Sequence, residues 1–304
     1  MEEGEEVYQA CHSVHHEDRI HHHKCGTWLL VSVLDGHGGS DAVTCLHASI
    51  TPLFEEIVVG TNQSDSVILE TLFARLATRV ADKTSGAAVT MWLLNTETRR
   101  WTCANVGDVL GVHILPTTHT LISTSHRLQC NPEERSRVLR DGGRIEQSRD
   151  DRGVSMGVIR LWPGGLAMSR SLGDLDVSHR STTPSLSFGT FDPTAESIVI
   201  ASDGVYDHLS VEQIVSLIRT GRSPQSVIDR VVRSGCNDDA SIVIIRAPEI
   251  PSLRGCVPFF RKSPTSSPTV TPTSSSTALD TMAAEAHSLP VSLSFVTSGT
   301  KLEV

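Results

Sequence analysis

Four segments of this chain are apolar on both faces of a strand. TWLLVSVL (27–34), GAAVTMWLL (86–94), ESIVIAS (196–202) and SIVIIR (241–246) carry apolar residues at successive positions. Side chains alternate faces along a strand, so such strands belong to sheets covered on both sides. Between them, apolar residues recur at helical spacing: Ala42, Val43, Leu46, Ile50, Leu53, Phe54 and Ile57 form one set, and Val67, Ile68, Leu72, Leu76 and Val80 another. NPEERSRVLRDGG (131–143) has a proline near its first turn and a glycine stop. SVEQIVSLIRTG (210–221) and SPQSVIDRVVRSG (223–235) read as capped helices ending in glycine. RRWTCANVG (99–107) and LGVHIL (110–115) follow GAAVTMWLL after short connections, which predicts an antiparallel meander. Runs of strands and paired helices predict an α+β fold, a four-layer α-β-β-α sandwich with two antiparallel sheets flanked by helix pairs.

The chain has 304 residues, enough for a sizeable core. Aromatics make up only 4%, so that core is mostly aliphatic. A net charge of -9 argues against nucleic acid or an anionic membrane as the main partner. The seven cysteines are scattered and form no CxxC pair, which reads as reduced thiols inside the cell, in cytoplasm or nucleus. The first ten residues are acidic and polar, unlike a signal peptide. No apolar run approaches the roughly 18 residues of a membrane span. Residues 263–277 are all Ser, Thr or Pro except Val270, a composition that cannot bury a core. The expected organisation is a folded domain over 1–248 and a largely disordered tail over 249–304.

Acids cluster at the strand ends. Asp35 follows TWLLVSVL, Asp108 follows TCANVG, and Asp203 follows ESIVIAS and precedes Gly204. Asp238 and Asp239 stand just before SIVIIR. One such acid is an ordinary turn residue. Several on strands of one sheet would lie close together and repel unless a cation holds them. An all-oxygen donor set suits a hard ion such as Mg²⁺ or Mn²⁺. The histidines of HHEDRIHHHK (15–24) invite a zinc reading, but they lack the two-plus-two spacing of a closed site and read as solvated.

These residues carry a resemblance. HHEDR (15–19), VLDGHGG (33–39), SGAAV (85–89), ANVGD (104–108), DGGRI (141–145), GGLAMSRSLGD (164–174), IVIASDGVYDHLS (198–210) and DDAS (238–241) follow one another as in the type 2C, metal-dependent Ser/Thr protein phosphatases. The resemblance covers about residues 10–246 and implies a β-sandwich flanked by helix pairs. It implies that Asp35 bridges two Mg²⁺ or Mn²⁺ ions, with Glu17 and the Gly36 carbonyl completing one site and Asp203 and Asp238 the other. Asp108 with Asp203 would line a weaker third site. His37 would be the general acid, protonating the serine or threonine leaving group of a phosphorylated protein after attack by metal-activated water. Family members are often monomeric.

The chain departs from the family pattern in several places. Where the family usually has a phosphate-holding arginine, four residues before Glu17, this chain has Ser13. If the segment is a strand, Ser13, His15, Glu17 and Arg19 share a face, and His15 or Arg19 partly replaces that arginine. Where the family commonly reads Asp-Asn, this chain reads Asp238-Asp239, and the extra carboxylate either tightens metal binding or repels phosphate. The strand expected before this motif is hard to recognise in VYQACHSV (7–14). Besides an active phosphatase, two readings stay open: a catalytically weak phosphoprotein-binding module, and a phosphatase for a small metabolite.

Overall fold

The computed structural model describes residues 6–59 and 63–246. The segment 249–304, expected to be a tail, lies outside the described residues. In chain order the strands are β1 (Glu6–His12), β2 (Asp18–Cys25), β3 (Trp28–His37), β4 (Gly86–Asn95), β5 (Arg100–Val106), β6 (Leu110–Ile114), β7 (His119–Leu121), β8 (Arg144–Arg149), β9 (Ser155–Trp162), β10 (Leu172–Gly173), β11 (Ser185–Thr190), β12 (Ser197–Ala201) and β13 (Ala240–Arg246). The helices are α1 (Asp41–Val58), α2 (Asp65–Arg79), α3 (Pro132–Arg140), α4 (Asp203–Tyr206), α5 (Val211–Arg219) and α6 (Pro224–Arg233).

Two antiparallel sheets form, in the orders β1-β13-β12-β6-β7 and β11-β5-β4-β3-β2, with β10 joined to β4. Strands β8 and β9 make a separate hairpin. The successive apolar residues divide between two layers, as the doubly covered strands require. On β3, Leu30 and Leu34 pack with Leu46, Phe54, Leu72 and Phe73 of α1 and α2. Their neighbours Val31 and Val33 face the other way, into a core shared with Trp92, Phe191, Ile200 and Val243 between the sheets. On β13, Ile242 and Ile244 pack under Ile214, Ile218, Val227 and Val231 of α5 and α6. Each fully buried aliphatic side chain of this kind contributes about 1.5–3 kcal/mol. The result is the expected four-layer sandwich.

The helix ends follow local chemistry. Ser210 and Gln213 form a reciprocal capping box at α5, and Ser223 and Asn131 cap α6 and α3, each followed by proline. All seven apolar positions expected on α1 are buried. Val67, expected on the buried face of α2, is instead exposed.

Three expectations are corrected. VYQACH does form a strand: β1 pairs with β13 from Glu6↔Arg246 to His12↔Ala240. The strand that was expected to end at Asp35 continues through His37, opposite Gly86 of β4. The 86–115 meander breaks after its second strand, and β6 joins the other sheet beside β12. The break falls at Gly107, where φ is +88° and a Cβ would stand 2.3 Å from that of Ala88. Only glycine allows that approach.

Phe191 fills the centre of the sandwich, edge-on to Trp92 with ring centroids 5.4 Å apart. Phe191→Ala should lower the unfolding free energy by about 3–5 kcal/mol in urea titrations. A loss under about 1 kcal/mol would show that the inter-sheet core is not filled by this ring.

Candidate active site

The acids meet where the two sheets' ends come together. Asp18 of β2 stands directly opposite Asp35 of β3 in the strand register, a like-charge pair that is unfavourable unless compensated. The backbone N–H of Asp203, at the start of α4, donates to Asp35 Oδ2 at 3.3 Å. Ser202, the last residue before α4, donates its hydroxyl to Asp18 Oδ2 at 2.8 Å. Burial pushes Asp18 up to about 7, against the hydrogen bonds of Ser202 and Ser241 and with the help of Asp239 and Asp203. Burial also raises Asp203, to about 6, with Asp108 adding to it and Arg127 opposing. Asp35 lies well above the usual carboxylate range, through burial first and then Asp203, Asp18 and Asp108. These acids cannot all ionise near neutral pH without a cation.

Asp108 is buried, and its Oδ1 finds no hydrogen-bond partner among the described residues. Its Oδ2 accepts from Arg127 Nε at 2.6 Å. A buried acceptor left open beside desolvated acids fits a hydrated hard cation better than it fits a dry core. No group of three or more His, Cys, Asp or Glu among the described residues is already arranged to hold a metal ion.

His37 lies beside this cluster. Its Nε2 is 2.9 Å from Oδ1 and 3.0 Å from Oδ2 of Asp174. Burial pulls the imidazole pKa down, but the hydrogen bond and charge of Asp174, with Asp108 and Glu17, outweigh it and hold the pKa above its ordinary value. The Asp174 carboxylate fits here because residue 86 is glycine, where a Cβ would lie 2.1 Å from Oδ2. Glu17 is tied to the glycine turn, its Oε1 accepting from Gly39 N–H at 2.6 Å. Gly36 N–H donates to the Glu17 carbonyl at 3.2 Å, an approach that a side chain at position 36 would block.

The protein phosphatase 2C family model matches residues 2–242. The chain belongs to that family. Among curated relatives, a probable protein phosphatase 2C of Arabidopsis thaliana is 35% identical over 130 residues, 41% of this chain and 30% of that protein. Another, from Oryza sativa subsp. japonica, is 28% identical over 233 residues, 72% of this chain and 48% of its own length. The chain thus spans less than half the length of these relatives. Among solved structures, the serine-threonine phosphatase 2C of Toxoplasma gondii superposes with a TM-score of 0.64 at 16% identity, covering 80% of this chain and 95% of that one. A sex-determining protein of C. elegans gives 0.69 at 19% identity, covering 79% and 64%. At such identities the likeness is one of fold.

In this phosphatase 2C domain the structure brings Asp35, Asp203, Asp108 and His37 together, with the Gly36 backbone beside Glu17. Asp238 stands exposed at the adjoining strand end, where its Oδ1 accepts from Asp239 N–H at 2.8 Å. Residues 13–17 are a loop and not a strand, so Ser13, His15, Glu17 and Arg19 do not share a strand face. The loop turns at His16, where φ is +62°. His15 is exposed, and Ser13 Oγ lies 2.9 Å from His16 Nδ1. Arg19 Nη1 donates to the carbonyls of Asp18 at 2.7 Å and His16 at 2.9 Å, and Nη2 reaches Thr44 Oγ1 at 3.5 Å. The clustered histidines disperse over β2: His22 is exposed, His21 Nε2 meets Thr51 Oγ1 at 3.2 Å, and His23 pairs with Glu55 at 2.9 Å.

Three further contributors carry a sequence signal of their own. Asp18 and Asp174 lie inside HHEDR and SRSLGD, and Asp207 closes ASDGVYD. Arg127, in an unremarked polar stretch, had none. The role of Asp239 is also new. Its carboxylate accepts the N–H groups of Val14, His15, Glu17 and Asp18, gripping the whole β1–β2 loop. Burial alone would raise its pKa, yet those four donors depress it to about 2.

Asp239→Asn leaves one acceptor oxygen for four donors. It should cost about 1–3 kcal/mol and speed amide exchange at residues 14–18. A depressed carboxylate pKa stabilises the fold above the unfolded value and loses that effect as pH falls through the folded one. Wild-type protection of the loop should therefore fade only as pH approaches about 2. Unchanged exchange in the variant would remove Asp239 as the clamp.

Proposed function

We propose that this chain is a metal-dependent protein serine/threonine phosphatase that hydrolyses phosphoserine and phosphothreonine. The observation that carries the reading is the desolvated set Asp18, Asp35 and Asp203 beside an imidazole whose pKa the Asp174 carboxylate raises. Asp35, Asp203 and the Gly36 carbonyl would hold two Mg²⁺ or Mn²⁺ ions, with Glu17 and Asp238 completing their shells. When bound, such ions lower the pKa of a water and stabilise charge on the phosphoryl oxygens. Asp18 is held at the cluster by a hydrogen bond from the Ser202 hydroxyl at 2.8 Å. His37 carries out the proton step. Asp174 occupies Nε2, so Nδ1 is the ring atom that delivers a proton to the leaving serine or threonine oxygen. Arg19 uses part of a five-donor guanidinium on backbone carbonyls and keeps capacity for a phosphate oxygen. His15, exposed on the loop before β2, is the second candidate for a phosphate oxygen.

Hydrolysis of p-nitrophenyl phosphate should require Mn²⁺ or Mg²⁺ and stop in EDTA. Asp35→Asn and Asp203→Asn should each lower kcat at least about 100-fold, the scale for losing a group that stabilises transition-state charge. His37→Gln should lower kcat on a phosphothreonine peptide about 100-fold or more. The same variant should have little effect on p-nitrophenyl phosphate, whose leaving group needs no proton. Turnover indifferent to EDTA would overturn the mechanism. Mn²⁺ binding without turnover of either substrate would replace it with a phosphoprotein-binding role.

A further inference from the structure

The third cation site expected between Asp108 and Asp203 already holds a positive charge. Arg127 Nε donates to Asp108 Oδ2 at 2.6 Å, and Nη2 to Asp203 Oδ2 at 2.6 Å. Nη1 donates to Asp207 Oδ1 at 2.7 Å, and Nη2 also to Asp207 Oδ2 at 3.2 Å. All three guanidinium nitrogens are thus engaged by three carboxylates. Both oxygens of Asp207 are used, whereas Asp108 and Asp203 each keep Oδ1 for other partners. The backbone fixes the arginine in place. Both the backbone N–H and Nδ1 of His126 lie 3.0 Å from the Gly107 carbonyl, which seats residue 127 beside Asp108. A backbone bridge to Met168 holds the other side. A planar fork on fixed carboxylates is the geometry arginine forms best, and it cannot lose its charge by deprotonation.

We propose that Arg127 is a built-in cation that takes the place of a third divalent ion, so that this chain binds two such ions and no third. The inference rests on the bimetal reading for the count of two. The assignment of Arg127 is tested separately. A divalent ion held by Asp108, Asp203 and Asp207 together would have to displace the guanidinium from Asp207, both of whose oxygens it occupies. The arginine also shields Asp35 from two neighbouring negative charges, Asp108 and Asp203, whatever the metal concentration.

Equilibrium dialysis with Mn²⁺ on the full chain, paired with thermal unfolding with and without Mn²⁺, tests this. Wild type should bind two Mn²⁺ per chain, and Asp207→Asn should leave that number unchanged. Arg127→Ala should bind one Mn²⁺ more than wild type and show a larger Mn²⁺-induced rise in Tm. Arg127→Ala combined with Asp207→Asn should lose the extra ion. A third wild-type ion that Asp207→Asn removes would overturn the proposal, and so would an Arg127→Ala chain that gains none. Should Arg127→Ala not fold, the comparison of wild type with Asp207→Asn still decides. Wild type binding no Mn²⁺, with one ion gained by Arg127→Ala, would refute the bimetal phosphatase while supporting Arg127 as the resident cation.

Discussion

The repulsion among Asp18, Asp35, Asp203 and Asp108 is the constraint to which the rest of the site responds. These acids come from two sheets and are held where water cannot fully screen them. Nothing in the packing of the sandwich calls for them, and a dry interior would favour their replacement by apolar residues. Their positions are nonetheless fixed by direct contacts: Ser202 on Asp18, the Asp203 N–H on Asp35, and Arg127 on Asp108 and Asp203. The two sheets must keep their mutual register at this end for those contacts to exist. The inter-sheet core around Trp92 and Phe191 supplies that register.

Two internal charge pairs bracket the acid cluster and do opposite things. On one side Arg127 neutralises carboxylates with a charge that never titrates. On the other, the negative charge of Asp174 raises the pKa of the half-buried His37 imidazole against the effect of burial. The first arrangement makes a static electrostatic floor. The second makes a charge that depends on pH. Glycine permits the second: with a side chain at position 86, the Asp174 carboxylate would have no place.

Much of this was legible in the chain because apolar pattern and turn chemistry decide it locally. The four strands with successive apolar residues form in the structure, and the serine caps of α5 and α6 start their helices as read. The acids at strand ends were visible as a set because each follows or precedes such a strand. What was not legible depends on pairing across the fold. β1 has no buried residue, only intermediate and exposed ones, and is a strand because β13 lies beside it along its whole length. β6 reads like a third meander strand, and only the close approach at Gly107 sends it to the other sheet. Strand alternation failed at residues 13–17 because Asp239, more than 200 positions away, gathers their N–H groups into a turn. Arg127 lies among polar residues with no periodicity, so nothing in its neighbours announces three carboxylate partners.

The extra acid at position 239 adds little negative field to the site. A carboxylate repels an anion to the degree that its charge is left uncompensated. Both oxygens of Asp239 are occupied by backbone N–H groups, and both oxygens of Asp207 by Arg127. Those two acids are satisfied from within the protein and have little field to spare. Asp35 and the Oδ1 of Asp108 are the opposite case, desolvated and short of donors. The pull on a hard cation therefore falls on Asp35 and its immediate neighbours. Substituting Asn for Asp239 would remove a charge that the loop already neutralises and would lose two of the acceptor positions that hold the loop. In this chain the second aspartate serves the shape of the site, and the cation field comes from Asp35 and the open Oδ1 of Asp108.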